Sequence, residues 1–224
     1  MSTLAASEQA QSATADKAAA RTIHPVWVRV CHWTNAVAMV IMIMSGWQIY
    51  NASPLFDFVF PKEVTIPWTS LSIPVTIGGW LAGALLWHFA AMWLLAINGL
   101  VYVILGFATG RFRRKLIPIT PSGVLEDTKA ALTGKLSHAD LSKYNSVQKL
   151  LYAGIILVGV LIVLSGLAIW KPVQFQYLTM LFGGYDVARY VHFFAMAAIV
   201  LFMVVHVVMA FLVPKSLRAM LIGR

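Results

Sequence analysis

Charged side chains are scarce in this sequence: Asp and Glu together number 8, and charged residues of both signs make up 11% of the chain. An ordinary soluble domain carries about 25%. Cysteine is almost lacking as well. Cys31 stands alone, which excludes a disulfide within the chain, and the "CHW" around it is not the Cys-x-x-Cys-His of a covalently attached haem. Cys31 therefore reads as a small apolar packing residue at a helix start. Residues 1–23 are rich in Ala, Ser, Thr and Gln and contain no apolar core of the signal-peptide kind, so they read as a disordered cytoplasmic tail. Internal repeats of solenoid type are also missing.

What the chain has instead is apolar length. It is 60% hydrophobic, and four long runs stand out, at about residues 33–50, 77–107, 150–170 and 188–213. Each reaches the roughly 18 residues that about 30 Å of hydrocarbon asks of a helix. Backbone groups in lipid must bond within their own segment, so the expected fold is all-α, an integral membrane four-helix bundle over residues 24–224. Of the 17 lysines and arginines, all but Lys62, Lys171 and Arg189 lie before the first run, between the second and third, or after the fourth. The positive-inside tendency then places both termini in the cytoplasm. The net charge of +9 follows from topology and anionic lipid, and no aqueous basic domain remains to bind nucleic acid.

Between the runs, the first helix begins after "HPVWVRV" and stops at "NASP"; the loop that follows, with "PLFDFVF" and "IPWTSL", is apolar enough for the bilayer surface or a partner. Gly78, Gly79, Gly83, Gly99 and Gly106 in the second helix allow close approach of a neighbour or a flat cofactor. After "RFRRK", the stretch "PSGVLEDTKAALTGK" predicts a short surface helix, capped by Ser122, with Glu126 and Asp127 in its first turn and Gly134 at its end. The fourth helix ends at Pro214.

Four of the six histidines, His32, His88, His192 and His206, fall inside the apolar runs. An ionisable group in a membrane span is costly and marks a functional site. His192 and His206, fourteen positions apart, are separated by about 21 Å and about 1400° of helical rotation, so they share a face and look toward opposite membrane surfaces. His32 is level with His206, and His88 with His192. Two imidazole pairs at two depths suit axial ligation of two planar metallo-macrocycles, and bis-imidazole iron, six-coordinate, favours electron transfer. Zinc fits worse, because its ligands would converge at one depth. Arg29 precedes His32 by three and Arg189 precedes His192 by three, where a guanidinium can snorkel to the interface or pair with a haem propionate. His24 and His138, in polar segments, read as solvated.

These stretches, "RVCHWTNAVAMVIMIMSG", "KYNSVQK", "SGLAIWKP", the histidine pair of the fourth helix and "MAFLVPKSLRAMLIGR", resemble the dihaem cytochrome b subunits of the bacterial cytochrome b561 and nickel-iron hydrogenase cytochrome b superfamily, and within it the formate dehydrogenase gamma subunit. The resemblance covers residues 21–224. It implies two b-type haems, a cytoplasmic-side one on His32 and His206 and a periplasmic-side one on His88 and His192. It further implies a quinone site beside the cytoplasmic-side haem, with Asn145 hydrogen-bonded to a quinone carbonyl and Gln148 and Tyr144 as neighbours. Asn145 is also placed to cap the third helix. The implied location is the bacterial inner membrane, and the implied partner a periplasmic redox enzyme carrying molybdopterin or nickel-iron with iron-sulfur clusters. The long first outer loop, "LLWHFA" around His88 and the short C-terminal tail depart from the formate dehydrogenase pattern and leave the partner's substrate open. A stand-alone superoxide:quinone oxidoreductase and a cofactor-free anchor are the competing expectations.

Overall fold

The structure is a computed structural model; it describes residues 23–61, 64–65, 81–133 and 144–223. The tail before residue 23, His138, Gly134, Gly78 and Gly79 lie outside the described residues. Every regular element among those described is helical: α1 (Val26–Ala52), α2 (Leu81–Ala108), α3 (Arg111–Leu116), α4 (Pro121–Leu132), α5 (Ser146–Trp170), α6 (Gln176–Leu181), α7 (Tyr185–Leu212) and α8 (Pro214–Ile222). Four of them, α1, α2, α5 and α7, are long and apolar enough to cross a membrane. Their outward faces carry exposed Val, Leu, Ile, Phe and Trp side chains, as lipid-facing helices do.

The bundle is built from two helix pairs. α1 packs along α2 and α5 along α7, whereas contacts between the two pairs are sparse. Small side chains make the close seams: Ala38, Ala84, Ala168 and Ala188 are fully enclosed. In the first pair, the Asn98 amide donates to the Cys31 carbonyl (2.8 Å) and to Asn35 Oδ1 (2.7 Å), a polar tie across two apolar helices. Midway along, Ile162, Ala195 and Ile199 form a small core on which Met39 of α1 rests, joining the pairs.

The segment leading into α1 meets α8 at one end of the bundle. The Ile23 N–H donates to the Gly223 carbonyl (2.8 Å) and the Arg29 guanidinium to the Leu221 carbonyl (2.8 Å). Gly223 has φ +88, and a Cβ there would stand 3.2 Å from the His24 carbonyl oxygen, so the latch needs glycine on both counts. The same end gathers Arg113, Arg114, Lys149, Lys215 and Arg218 with α3, α4 and α8.

Several local expectations change. α1 starts directly after Pro25, within the "HPVWVRV" stretch expected to precede it, because Pro25 takes the cap position and the mostly apolar Val26–Val30 stretch extends the apolar run. α2 is described from Leu81. α4 begins at Pro121, so Ser122 is inside the helix and Thr120 takes the cap, its hydroxyl accepting from the Gly123 N–H (3.3 Å). Neither acid lies in its first turn; Asp127 accepts instead from the Ser146 N–H at the start of α5 (2.6 Å). A Cβ at Gly99 would meet no protein atom within 4 Å, so no described helix approaches closely there, whereas a Cβ at Gly106 would overlap the Phe112 ring. Pro214 does end α7, and it opens α8, which the sequence reading did not foresee.

Gly106→Ala should force the buried Phe112 ring aside and cost about 1–3 kcal/mol, the usual range for overpacking. Thermal unfolding of the detergent-solubilised variant should show the lower midpoint.

Candidate functional site

Each of the four helical histidines projects into the space between the helix pairs. His32 is the seventh residue of α1 and His206 the seventh from the end of α7; His88 and His192 are each the eighth residue of their helices, α2 and α7. Depth therefore sorts them two by two, and the side chains follow. The His32 and His206 rings lie with centroids 5.9 Å apart, the His88 and His192 rings 6.5 Å apart. All four are half-buried. The helices that carry each pair, α1 with α7 and α2 with α7, are not in close backbone contact, so the imidazoles face each other across a gap.

The outer pair, away from α8, is backed by hydroxyls. Ser45 Oγ lies 3.0 Å from His88 Nδ1, and Ser165 Oγ 3.1 Å from His192 Nδ1. Around the inner pair, the Phe202 ring stacks on His206 (5.6 Å, 10°) and Trp33 meets His32 edge-on (5.3 Å).

Arg29 and Arg189 stand beside the inner and outer pairs respectively. The structure gives each a backbone partner: Arg29 donates to Leu221, and Arg189 to the Ser53 carbonyl and hydroxyl at the end of α1. The buried Nε–H of Arg29 has no hydrogen-bond partner among the described residues. At the other level the same is true of the Trp47 indole N–H, two residues beyond Ser45 toward the surface. Each imidazole pair thus has one buried, unsatisfied N–H on its surface-facing side. A buried donor without an acceptor is costly, so these are places where an anion would be welcome.

Asn145 caps α5. Its Oδ1 accepts from the Gln148 N–H (2.7 Å) while Gln148 Oε1 accepts from the Asn145 N–H (3.1 Å), a reciprocal capping box. Both carbonyl oxygens are committed to the cap; what the two amides can still offer a ligand is N–H. Tyr144 precedes the cap, its ring against Tyr152 (4.9 Å) and under the Lys115 ammonium (5.8 Å). Burial pushes its phenol above the usual tyrosine range, against the opposing pull of Arg111, so it stays protonated and able to donate.

His24 departs from expectation. It is 7% exposed rather than solvated, because the latch between α8 and the segment leading into α1 folds it under α3, where Arg111 Nη2 lies 3.1 Å from its Nδ1. Burial, then the charges of Arg111 and Lys115, lower its pKa from 6.5 to about 4. Neutral His24 Nδ1 accepts a hydrogen bond from the Arg111 guanidinium.

Residues 23–223 match the model of the prokaryotic cytochrome b561 family. The chain belongs to that family. Its members are membrane cytochromes of the b type, so the four apolar helices are those of a multi-pass electron-transfer protein. Among curated relatives, the "putative protein-methionine-sulfoxide reductase subunit YedZ1" of Azospira oryzae is 52% identical over 201 residues, 90% of this chain and 96% of that one. The "formate dehydrogenase, nitrate-inducible, cytochrome b556(Fdn) subunit" of Escherichia coli K12 is 26% identical over 201 residues, 88% of this chain and 80% of the relative.

The residues fit the haem that the family implies. Metal–nitrogen bonds of about 2 Å on either side of one iron put two imidazole centroids roughly 6 Å apart, and both pairs have that separation. No group of three or more His, Cys, Asp or Glu among the described residues gathers at one place. The serines, Trp47 and Asn98 were not singled out from the sequence. "SG" does recur in the first and third apolar runs, a signal available once the runs are aligned on their histidine partners.

Because His24 is held neutral, its contribution to stability is complete above the unfolded value of 6.5 and is lost as pH falls from there toward about 4. The unfolding midpoint should drop over that window, by at most about 1.4 kcal/mol per pH unit from this group. In His24→Asn the drop should be shallower.

Proposed function

We propose that the chain is a dihaem cytochrome b that connects the quinone pool to a redox enzyme on the far side of the membrane. His32 and His206 hold one b-type haem, and His88 and His192 a second. The observation that carries this is the pair of facing imidazoles at each of two depths, on helices otherwise kept apart. When bound, the two haems supply one-electron steps across the bilayer; the chain's own residues bind, orient and insulate. Arg29 and Arg189 lie where propionates would meet water, and the unsatisfied Arg29 Nε and Trp47 Nε1 supply donors at the same two levels.

The quinone binds at the end where α8 meets the start of α1. Asn145 Nδ2, with its oxygen kept in the cap, donates to a quinone carbonyl, Gln148 offers a second amide, and the Tyr144 phenol a third donor. By the positive-inside tendency this end faces the cytoplasm of a bacterial inner membrane, so quinone protons are exchanged there while electrons cross.

Both relatives are named as subunits, which favours a complex over a stand-alone superoxide:quinone oxidoreductase. The 52% identical relative is named as part of a protein-methionine-sulfoxide reductase. On that likeness the periplasmic partner is a reductase of the molybdopterin type and electrons run outward: a quinol gives up two electrons and two protons, and the sulfoxide takes two electrons and two protons to yield thioether and water. Under the formate dehydrogenase likeness the flow is inward.

Replacing any one of His32, His88, His192 or His206 by Ala should halve the haem found by pyridine haemochrome assay; two haems remaining in His206→Ala would overturn the ligand set. Asn145→Asp preserves the cap acceptor but removes the amide donor, so both haems should stay while quinol oxidation slows on the order of tenfold, the worth of one lost hydrogen bond. In the affinity-purified complex, oxidised methionine in a protein substrate should reoxidise quinol-reduced haem, and formate should not reduce it.

A further inference from the structure

The two halves of the bundle contain the same five-residue device. On α1 it is Met42–Gly46, on α5 Ile162–Gly166, each ending in Ser-Gly. Both serines are wholly enclosed. Ser45 donates its hydroxyl proton to the Ile41 carbonyl four residues back (2.6 Å), and Ser165 does the same to Leu161 (2.8 Å). A hydroxyl has one proton, so each oxygen is left with lone pairs only. With that proton committed to the carbonyl, the nitrogen that faces the oxygen, His88 Nδ1 at 3.0 Å or His192 Nδ1 at 3.1 Å, takes the donor role. The glycines make room: a Cβ at Gly46 would stand 3.4 Å from His88 Cε1, and one at Gly166 3.2 Å from His192 Cε1.

We infer that Ser45 and Ser165 are positioning residues for the outer site, one per ligand, fixing the proton of both imidazoles on Nδ1 and turning both Nε2 lone pairs into the gap between them. The opposite tautomer would set lone pair against lone pair in a dry environment. The two serines come from different helix pairs yet serve the same site, because α1 lends its serine to the histidine of α2 and α5 lends its serine to the histidine of α7. An accepted Nδ1–H also makes an imidazole a stronger donor to a metal, and more so toward the ferric than the ferrous ion. The serines accordingly hold the outer site's reduction potential down. The inference rests on His88 and His192 being a ligand pair.

The test uses the full chain in lipid nanodiscs, with haem counted by pyridine haemochrome and potentials taken by optical redox titration. Ser45→Ala and Ser165→Ala should both retain two haems and shift the same one of the two transitions to more positive potential. A tenfold loss of preference for the ferric form corresponds to about 59 mV. The other transition should not move, and Ser45→Thr, which keeps the hydroxyl, should return the wild-type value. Two haems with unmoved potentials in both Ala variants would overturn the role of the serines while leaving the ligand pair intact. Shifts of different transitions by the two variants would overturn their assignment to one site. Full haem content in His88→Ala and His192→Ala would remove the ligand pair itself, and the inference with it.

Discussion

A neutral imidazole inside an apolar helix has two nitrogens to satisfy where there is no water, and the arrangement of this bundle follows from that requirement. At the outer level one nitrogen of each ring is taken by a serine on the neighbouring helix of the same pair, and the other is turned toward the opposite pair. Packing within a pair is close, with enclosed alanines along the seam, and packing between pairs is thin. The gap is thus the place left for whatever lies between facing imidazoles. Had the two pairs closed on each other like an ordinary four-helix bundle, the rings could not stand about 6 Å apart at two separate depths.

The end of the bundle where α8 meets the start of α1 is governed by a different interaction, hydrogen bonds from one segment to the backbone carbonyls of the other. Ile23, Arg29 and Trp33 all donate to the segment Met220–Gly223, so α8 lies across the start of α1. That closure buries His24 against Arg111, and Arg111 in turn stands beside Tyr144, next to the Asn145 cap. A line of polar contacts consequently runs from α8 to the proposed quinone site without entering the apolar spans. At the opposite end aromatic side chains do the corresponding work: Phe56, Phe58 and Phe60 fold back on Tyr50 and Phe193, next in sequence to His192. Asn51 holds the loop in place by exchanging two hydrogen bonds with Phe60.

Membrane helices are unusually legible because their length is set by the solvent, and the four spans and their four histidines could be read from apolar runs alone. Depth pairing was legible for the same reason, since rise per residue is a local constant. Misreadings came where the deciding contact is distant. Ser122 has the composition of a helix cap, but Pro121 begins the helix and Thr120 takes that place. His24 sits in a polar stretch and is buried by residues 87 and some 200 positions away. Arginines three before a histidine carry the same pattern whatever they reach, and the carbonyl partners of Arg29 and Arg189 could be found only in the structure.

By itself, then, the sequence determined that the chain crosses a membrane four times and that two imidazoles stand at each of two levels, because hydrophobic length and helical period depend only on neighbours along the chain. Family membership followed from motifs of the same local kind. Only the tertiary structure decided which helix packs on which, that a serine from the adjacent helix backs each outer imidazole, and that α8 and the segment leading into α1 close over His24. Those outcomes depend on hydrogen bonds and close seams between residues tens to hundreds of positions apart, whose geometry no local pattern records.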